Sequence, residues 1–306
     1  MTWLNWPSEQ ATRPDLELPR YRQNDSLCLE LHGDPVHANL VVFSDGNHHM
    51  ALQEALHAFS LTHPEVGDIF YTTTPPRIAT EMLRAGGLEI GNFRLSMTPH
   101  VFISPPAVLE PLVNDGYMQG HHPFMSSRGV VLLVHKNNPK GIAGITDLLR
   151  PDVRLFLSNP ITEKISNQIY TDCLRRLAEQ QGTPLDFLAH APGQPDPAKL
   201  VYGRSIHHRE APQALMDERA DAALVFYHLA LRYQRIFPEH FDFVWPAGSL
   251  GNQVCDTGII SCGLVGNGGE WGQTLLDFLS SDVVTKIYEY HGLMRAHPEA
   301  PAVQHA

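Results

Sequence analysis

The feature that most restricts this chain is the alternation of short apolar runs with amphipathic stretches that begins at Leu40. "LVVF" is too short for a helix and reads as a buried strand. The residues after it place Leu52, Ala55, Leu56 and Phe59 at i, i+3, i+4 and i+7, which makes a helix with one buried face. The unit recurs as "GDIFYTTT" followed by "RIATEMLRAGG", where Gly86 and Gly87 stop the helix, and again as "HVFIS" followed by "PAVLEPLVNDG". Such an alternation with short loops predicts an α/β fold with mostly parallel sheets flanked by helices.

A second set follows the strand in "RGVVLLVHKNNP". "VRLFLSNP" leads into a helix with Ile165, Ile169, Cys173 and Leu177 on one face, and a helix around Ala211 to Arg219 precedes the strand "ADAALVF". The Pro- and Gly-rich run His190 to Gly203 reads as a surface loop between units. A strand near "DTGIISCGLV" and one long helix, Trp271 to Tyr290, with Leu275, Leu279, Val283 and Ile287 aligned, complete the chain. Residues 1–38, polar and punctuated by prolines, are expected to form an irregular arm.

Composition narrows the function classes. At 306 residues and 43% hydrophobic content the chain can bury a sizeable core, and a net charge of −11 argues against a nucleic-acid partner. Cys28, Cys173, Cys255 and Cys262 are dispersed without a C-x-x-C pair, so neither a zinc ribbon nor a disulfide framework is expected. No stretch reaches the roughly 18 apolar residues of a membrane span, so no membrane insertion is expected. The first 25 residues lack the basic and apolar regions of a secretory signal, so a cytoplasmic location is expected, or a periplasmic one if the sequence is trimmed.

The order of these motifs resembles the molybdate-binding branch of the type 2 periplasmic-binding-protein fold. The matching pieces are "VVFS" with "ALQEALHAFSLTHPEV", "YTTTPPRIATEMLRAGG", "HVFIS", "RGVVLLVHKNNP", "SNPITEKISNQIYTDCL", "QALMDERADAALVFYHLA" and "LLDFLSSDVVTKIYEYHGL", in order from Leu40 to Leu293. The resemblance implies two lobes, 39–127 plus 247–306 and 128–246, that close on a small ligand held in the interlobe cleft. It also implies ligand loops at Ser44, Asp45 and Asn47, at Thr72, Thr73 and Thr74, at Ser158 and Asn159, and at Tyr227. In open α/β sheets the strand C-ends and the helix N-termini that follow them are where ligands collect, which supports the same loops on independent grounds. One departure stands out: Asp45 sits where an oxyanion site would carry small hydroxyl residues, and a carboxylate there repels an anion unless it is engaged elsewhere.

Histidines pull the reading another way. Three His-His doublets occur among 18 histidines, at His48–His49, His121–His122 and His207–His208, all in predicted loops or helix starts. Neutral imidazoles from several loops make sites for Zn, Ni or Cu, and one His per doublet is the expectation, with His48 or His49 and His207 or His208 as metal ligands. The competing reading is that such doublets are ordinary polar positions. His100 reads as a core histidine, and "GLVGNGGEWG" fits no phosphate-loop spacing.

Catalytic signatures are absent from the sequence, and the favoured expectation is a monomeric, non-catalytic solute-binding protein. Its ligand is a small inorganic ion, with a transition metal slightly ahead of a molybdate-, tungstate- or sulfate-like oxyanion. A transporter or regulatory protein is the expected partner. The alternatives are a metal-dependent hydrolase with Glu210 as base, and a ligand-sensing regulatory domain.

Overall fold

The computed structural model describes Leu4 and residues 30–90, 93–183, 185, 198–204, 206–246 and 258–296. These divide into two compact units, a first of residues 30–126 and 259–296 and a second of residues 127–246 with Gly258 and Leu4.

The first unit opens with β1 (Leu31–His32), β2 (Ala38–Ser44) and α1 (His49–Thr62), then β3 (Asp68–Thr72), α2 (Pro76–Ala85), the hairpin β4 (Leu88–Ile90) and β5 (Phe93–Leu95), β6 (Val101–Ser104), α3 (Pro106–Asn114) and β7 (His122–Ser127). The α1 face drawn from the sequence is the buried one: Leu52, Ala55, Leu56 and Phe59 are at most 3% exposed. Gly86 ends α2 in the left-handed region at φ 70°, the conformation that glycine adopts without strain. The arm reading requires correction where it can be seen, because β1 pairs antiparallel with β3, Leu31 opposite Thr72; residues 5–29 lie outside the described residues.

The second unit contains β8 (Val130–His135), β9 (Leu155–Leu157), α4 (Lys164–Gln181), β10 (Leu200–Tyr202), α5 (His207–Met216), β11 (Ala222–Phe226), α6 (Tyr227–Ile236) and β12 (Phe241–Val244). Its sheet order is β10-β9-β11-β8-β12, parallel across β10, β9 and β11 and antiparallel across β11, β8 and β12. The central strands β8 and β11 are buried almost throughout, as their continuous apolar runs require. Two expectations shift. The buried face of α4 is Tyr170, Cys173, Leu174, Leu177 and Ala178, while Ile165 is 47% exposed. The end of the expected surface loop, Leu200–Tyr202, is a strand on β9, and residues 190–197 of that run lie outside the described residues.

The chain returns to the first unit with β13 (Ile259–Leu264), α7 (Gly272–Leu279), α8 (Asp282–Tyr290) and β14 (Leu293–Arg295). The single long helix expected there is two: α7 ends at Leu279, and Ser281 caps α8 by accepting the Val284 N–H, so the helical period is reset and Val283 is 52% exposed. The sheet order is β1-β3-β2-β6-β13-β7-β14. Strands β3, β2 and β6 run parallel, whereas β13 is antiparallel to both β6 and β7, so both sheets are mixed rather than mostly parallel. Side-chain alternation splits the core in two. Leu40, Val42, Val101 and Ile103 face α1, α7 and α8; Val41, Phe43, Phe70 and Phe102 face α2 and α3.

Cys173 is disulfide-bonded, with its partner outside the described residues, and Cys262 is a buried free thiol. The dispersed cysteines, from which no disulfide framework was expected, therefore include a bridged residue. Among the described residues no helix is long and apolar enough to cross a membrane.

Candidate functional site

In the first unit the parallel strands β2, β3 and β6 end on the same side of the sheet, and their last residues are polar and buried: Ser44, Thr72 and Ser104 are all 0% exposed. This is the end at which ligand loops of α/β sheets gather. Asp45, 2% exposed, follows β2 and caps the short 3-10 turn Gly46–His48 that leads into α1. Its Oδ1 accepts the Asn47 N–H at 2.9 Å and its Oδ2 accepts the Ser104 hydroxyl at 3.4 Å. Burial pushes the Asp45 carboxyl up to about 6, against the opposing effect of those two hydrogen bonds. Asn47 thus contributes its backbone N–H to a chain carboxylate.

The three threonines have three different roles. Thr72 Oγ1 accepts the Ser44 N–H at 3.2 Å and ties β3 to β2. Thr73 Oγ1 donates to Glu30 Oε2 at 2.8 Å and lies 2.9 Å from His32 Nε2, so its hydroxyl anchors the segment before β1. Thr74 Oγ1 is buried and has no hydrogen-bond partner among the described residues. Ser261 Oγ is likewise buried and unpartnered; it sits on β13 directly opposite Ser104 of β6, so the two hydroxyls stand side by side on one face.

The second unit has its own polar end. Ser158, after β9, is 0% exposed and its Oγ has no partner among the described residues. Asn159 shapes the loop: Nδ2 donates to the Gly203 carbonyl at 2.9 Å, and Oδ1 accepts the Ile161 and Thr162 N–H groups. Two acids hold the neighbouring loop. Glu210 accepts the Arg204 N–H at 2.8 Å and the Ile206 N–H at 2.9 Å, and Glu163 accepts the His207 N–H at 2.9 Å. Burial, reinforced by the negative charge of Glu210, pushes Glu163 up to about 8. Glu210 is therefore a loop cap, and its expected role as a hydrolytic base finds no free carboxylate oxygen facing a metal. Tyr227 stacks on Trp245 at 5.1 Å and meets Phe243 edge-on, which accounts for its ring as aromatic packing.

The histidines expected as metal ligands lie in several different settings. His48 is fully buried, its Nε2 3.0 Å from Ser44 Oγ and its Nδ1 2.9 Å from the Tyr288 hydroxyl, so both ring nitrogens are engaged. His49 directs Nδ1 at the Gly46 carbonyl at 2.8 Å, which fixes the proton on that nitrogen. His207 lies flat against Phe156, with ring centroids 5.3 Å apart, and burial lowers it to about 3. His208 is lowered to about 4 by burial and by the nearby Arg232. His121 meets Glu110 and His122 meets Cys262. His100 accepts the Val41 N–H and is satisfied structurally, as read from the sequence, but it is half-buried rather than in the core. Among the described residues no group of three or more His, Cys, Asp or Glu is arranged to hold a metal ion. Neutral imidazole packs as readily as it ligates: His48, His49 and His207 are buried at helix starts, and His121 and His122 stand at the start of β7.

Sequence reasoning missed Ser104 and Ser261. Ser104 had a signal, the same strand-end position as Ser44 and Thr72. Ser261 had none, since only the β6–β13 register reveals its neighbour.

No curated protein matches the sequence. Among solved structures, the substrate-binding protein of an ABC transporter from Agrobacterium tumefaciens superposes with a TM-score of 0.65 at 13% identity, over 92% of this chain and 88% of that one. The periplasmic molybdate-binding protein of Azotobacter vinelandii gives 0.56 at 14% identity, over 85% and 100% of the two chains. The sulfate-binding protein of Mycobacterium tuberculosis gives 0.59 at 15% identity, over 86% and 88%. These likenesses establish the type 2 periplasmic-binding-protein fold anticipated from the motif order. The family model described as bacterial extracellular solute-binding protein matches residues 40–294, and the chain belongs to that family.

Proposed function

We propose that this protein binds a tetrahedral oxyanion without catalysis and hands it to a membrane transporter. The observation that carries this reading is the set of buried hydroxyls that lack partners among the described residues, Thr74 and Ser261 in the first unit and Ser158 in the second. A buried hydroxyl without a hydrogen bond costs stability, and such donors are kept where a ligand completes them. Each stands at a strand end or beside one, as oxyanion ligands of this fold require. The fold is shared with proteins that bind molybdate and sulfate, which supports the same ligand class. Transition-metal binding has less support, because both His48 ring nitrogens are engaged and, although His207 Nε2 is buried without a partner, no group of three His, Cys, Asp or Glu among the described residues is arranged around an ion.

The family description supports an extracellular or periplasmic location over the cytoplasmic one expected from the N-terminus. The disulfide at Cys173 points the same way, since such bonds persist in oxidising compartments. The test is a thermal-shift and calorimetric panel of molybdate, tungstate, sulfate and phosphate against Zn, Ni and Cu. An oxyanion is expected to raise the melting temperature and bind one per chain; saturable binding of a metal with no response to any oxyanion would overturn the reading.

A further inference from the structure

We infer that Glu30 is a positioning residue for anion binding, gripping Thr73 by its backbone and its side chain so that the adjoining Thr74 hydroxyl is held ready for the ligand. The inference rests on the oxyanion reading and deepens it by naming a residue that tunes affinity without touching the anion. The family match begins at residue 40, whereas Glu30 and β1 precede it, so the grip is an addition to the part of the chain that the family model describes. It is made twice. β1 runs antiparallel to β3 with Leu31 opposite Thr72, and one step further the Glu30 carbonyl accepts the Thr73 N–H at 3.0 Å. The Glu30 carboxylate then accepts the Thr73 hydroxyl at 2.8 Å, and both residues are at most 9% exposed.

With its hydrogen directed at Glu30, the Thr73 oxygen takes its further bond from His32 Nε2, 2.9 Å away. His32 lies flat on Tyr71 with ring centroids 4.5 Å apart, and burial holds its imidazole below the ordinary value, so the ring is a neutral donor there. Both donors of Thr73 are thus committed, and the residue after it inherits the order. On the other side Pro75, the cap of α2, excludes Thr74 from the helical region and keeps its backbone extended. Between these two restraints Thr74 is 0% exposed, and its Oγ1 has no partner among the described residues. A hydroxyl already immobilised gives up little freedom when a ligand arrives, whereas a loop that must first be ordered spends part of the binding energy on ordering.

The test is a double-mutant cycle read by calorimetry with molybdate, sulfate and inorganic phosphate on the wild type, Glu30→Ala, Thr74→Ala and the double variant, each first shown to unfold cooperatively. Glu30→Ala is expected to bind the tightest of the three anions about fivefold more weakly than the wild type. Glu30→Gln keeps an acceptor for the Thr73 hydroxyl and should recover affinity to within about twofold. In the Thr74→Ala background the Glu30→Ala change should cost nothing further, a coupling that a general loss of structure does not produce. Should Glu30→Ala fold poorly, Thr73→Val removes the gripped hydroxyl while keeping the branched shape, and should show the same loss and the same coupling to Thr74. A loss of equal size with and without the Thr74 hydroxyl, or full affinity in folded Glu30→Ala, overturns the inference and leaves the oxyanion reading standing. Failure of all three anions to bind the wild type overturns both.

Discussion

Both units bury acids at their polar ends, and they use them differently. In the second unit Glu163 and Glu210 clamp the backbone of residues 204–207, so their oxygens are committed to holding a loop. In the first unit Asp45 accepts from its own turn and from Ser104, whose cross-strand neighbour Ser261 has a hydroxyl without a partner among the described residues. A buried acid committed to backbone N–H groups builds a structure; a buried acid among unused donors leaves the arrangement to be finished by something from outside. Chemistry is therefore sought around Asp45 and around the bare hydroxyls, and stability around the two glutamates.

Substitutions that exchange these roles should separate the units. The largest effect is expected from Glu210→Ala, which strands the part-buried Arg204 and Ile206 N–H groups and should cost about 3–4 kcal/mol in denaturant unfolding. Loss of oxyanion affinity in the protein that remains folded, with unfolding unaltered, would reverse the assignment. Next comes Glu163→Gln. The folded value of about 8 lies above the ordinary value of 4.5, so the acid's contribution is fully present below about 4.5 and is lost as pH rises through 8. Gln keeps an acceptor for the His207 N–H without the charge, and should be more stable than the wild type at pH 8.5 by about 3 kcal/mol, with the difference vanishing near pH 4.

Asp45→Asn should follow the same sign over a narrower window, stabilising above pH 6 by about 2 kcal/mol, because the folded carboxyl at about 6 lies above 3.8 and its ionisation in the core is unfavourable. The smallest effect on stability is expected for Thr74→Ala, within about 0.5 kcal/mol of the wild type since its hydroxyl has no partner to lose among the described residues. Its anion affinity should still fall about tenfold or more, as expected for losing one hydrogen bond to a charged ligand. A Thr74→Ala protein with full affinity would remove the hydroxyl from the site.

The fold was legible where a local pattern decides it. The face of α1, the glycine stop after α2 and the polar strand ends Ser44, Thr72 and Ser158 all follow from period and position. What escaped depends on partners distant in sequence. β1 exists because β3 pairs with it, the sheets are mixed because β13 returns between β6 and β7, and Ser261 matters because register sets it opposite Ser104. The helix break at Ser280 and Ser281 had a local signal, a serine cap, that the strong apolar period masked. The histidine doublets misled for a different reason. A neutral imidazole has two apolar ring faces and two nitrogens, and only tertiary contacts tell whether those nitrogens meet a metal or, as for His48, a serine and a tyrosine.

The central claim is that buried hydroxyls at the strand ends bind an oxyanion and that the histidines do not bind a metal. Calorimetric titration of the metal-free protein with phosphate, sulfate, molybdate and zinc, repeated on Thr74→Ala, tests it most directly. The account predicts saturable binding of one oxyanion per chain, weakened in Thr74→Ala, and no stoichiometric uptake of zinc. Stoichiometric zinc binding abolished by alanine at His48 or His207, with no heat from any oxyanion, would contradict it.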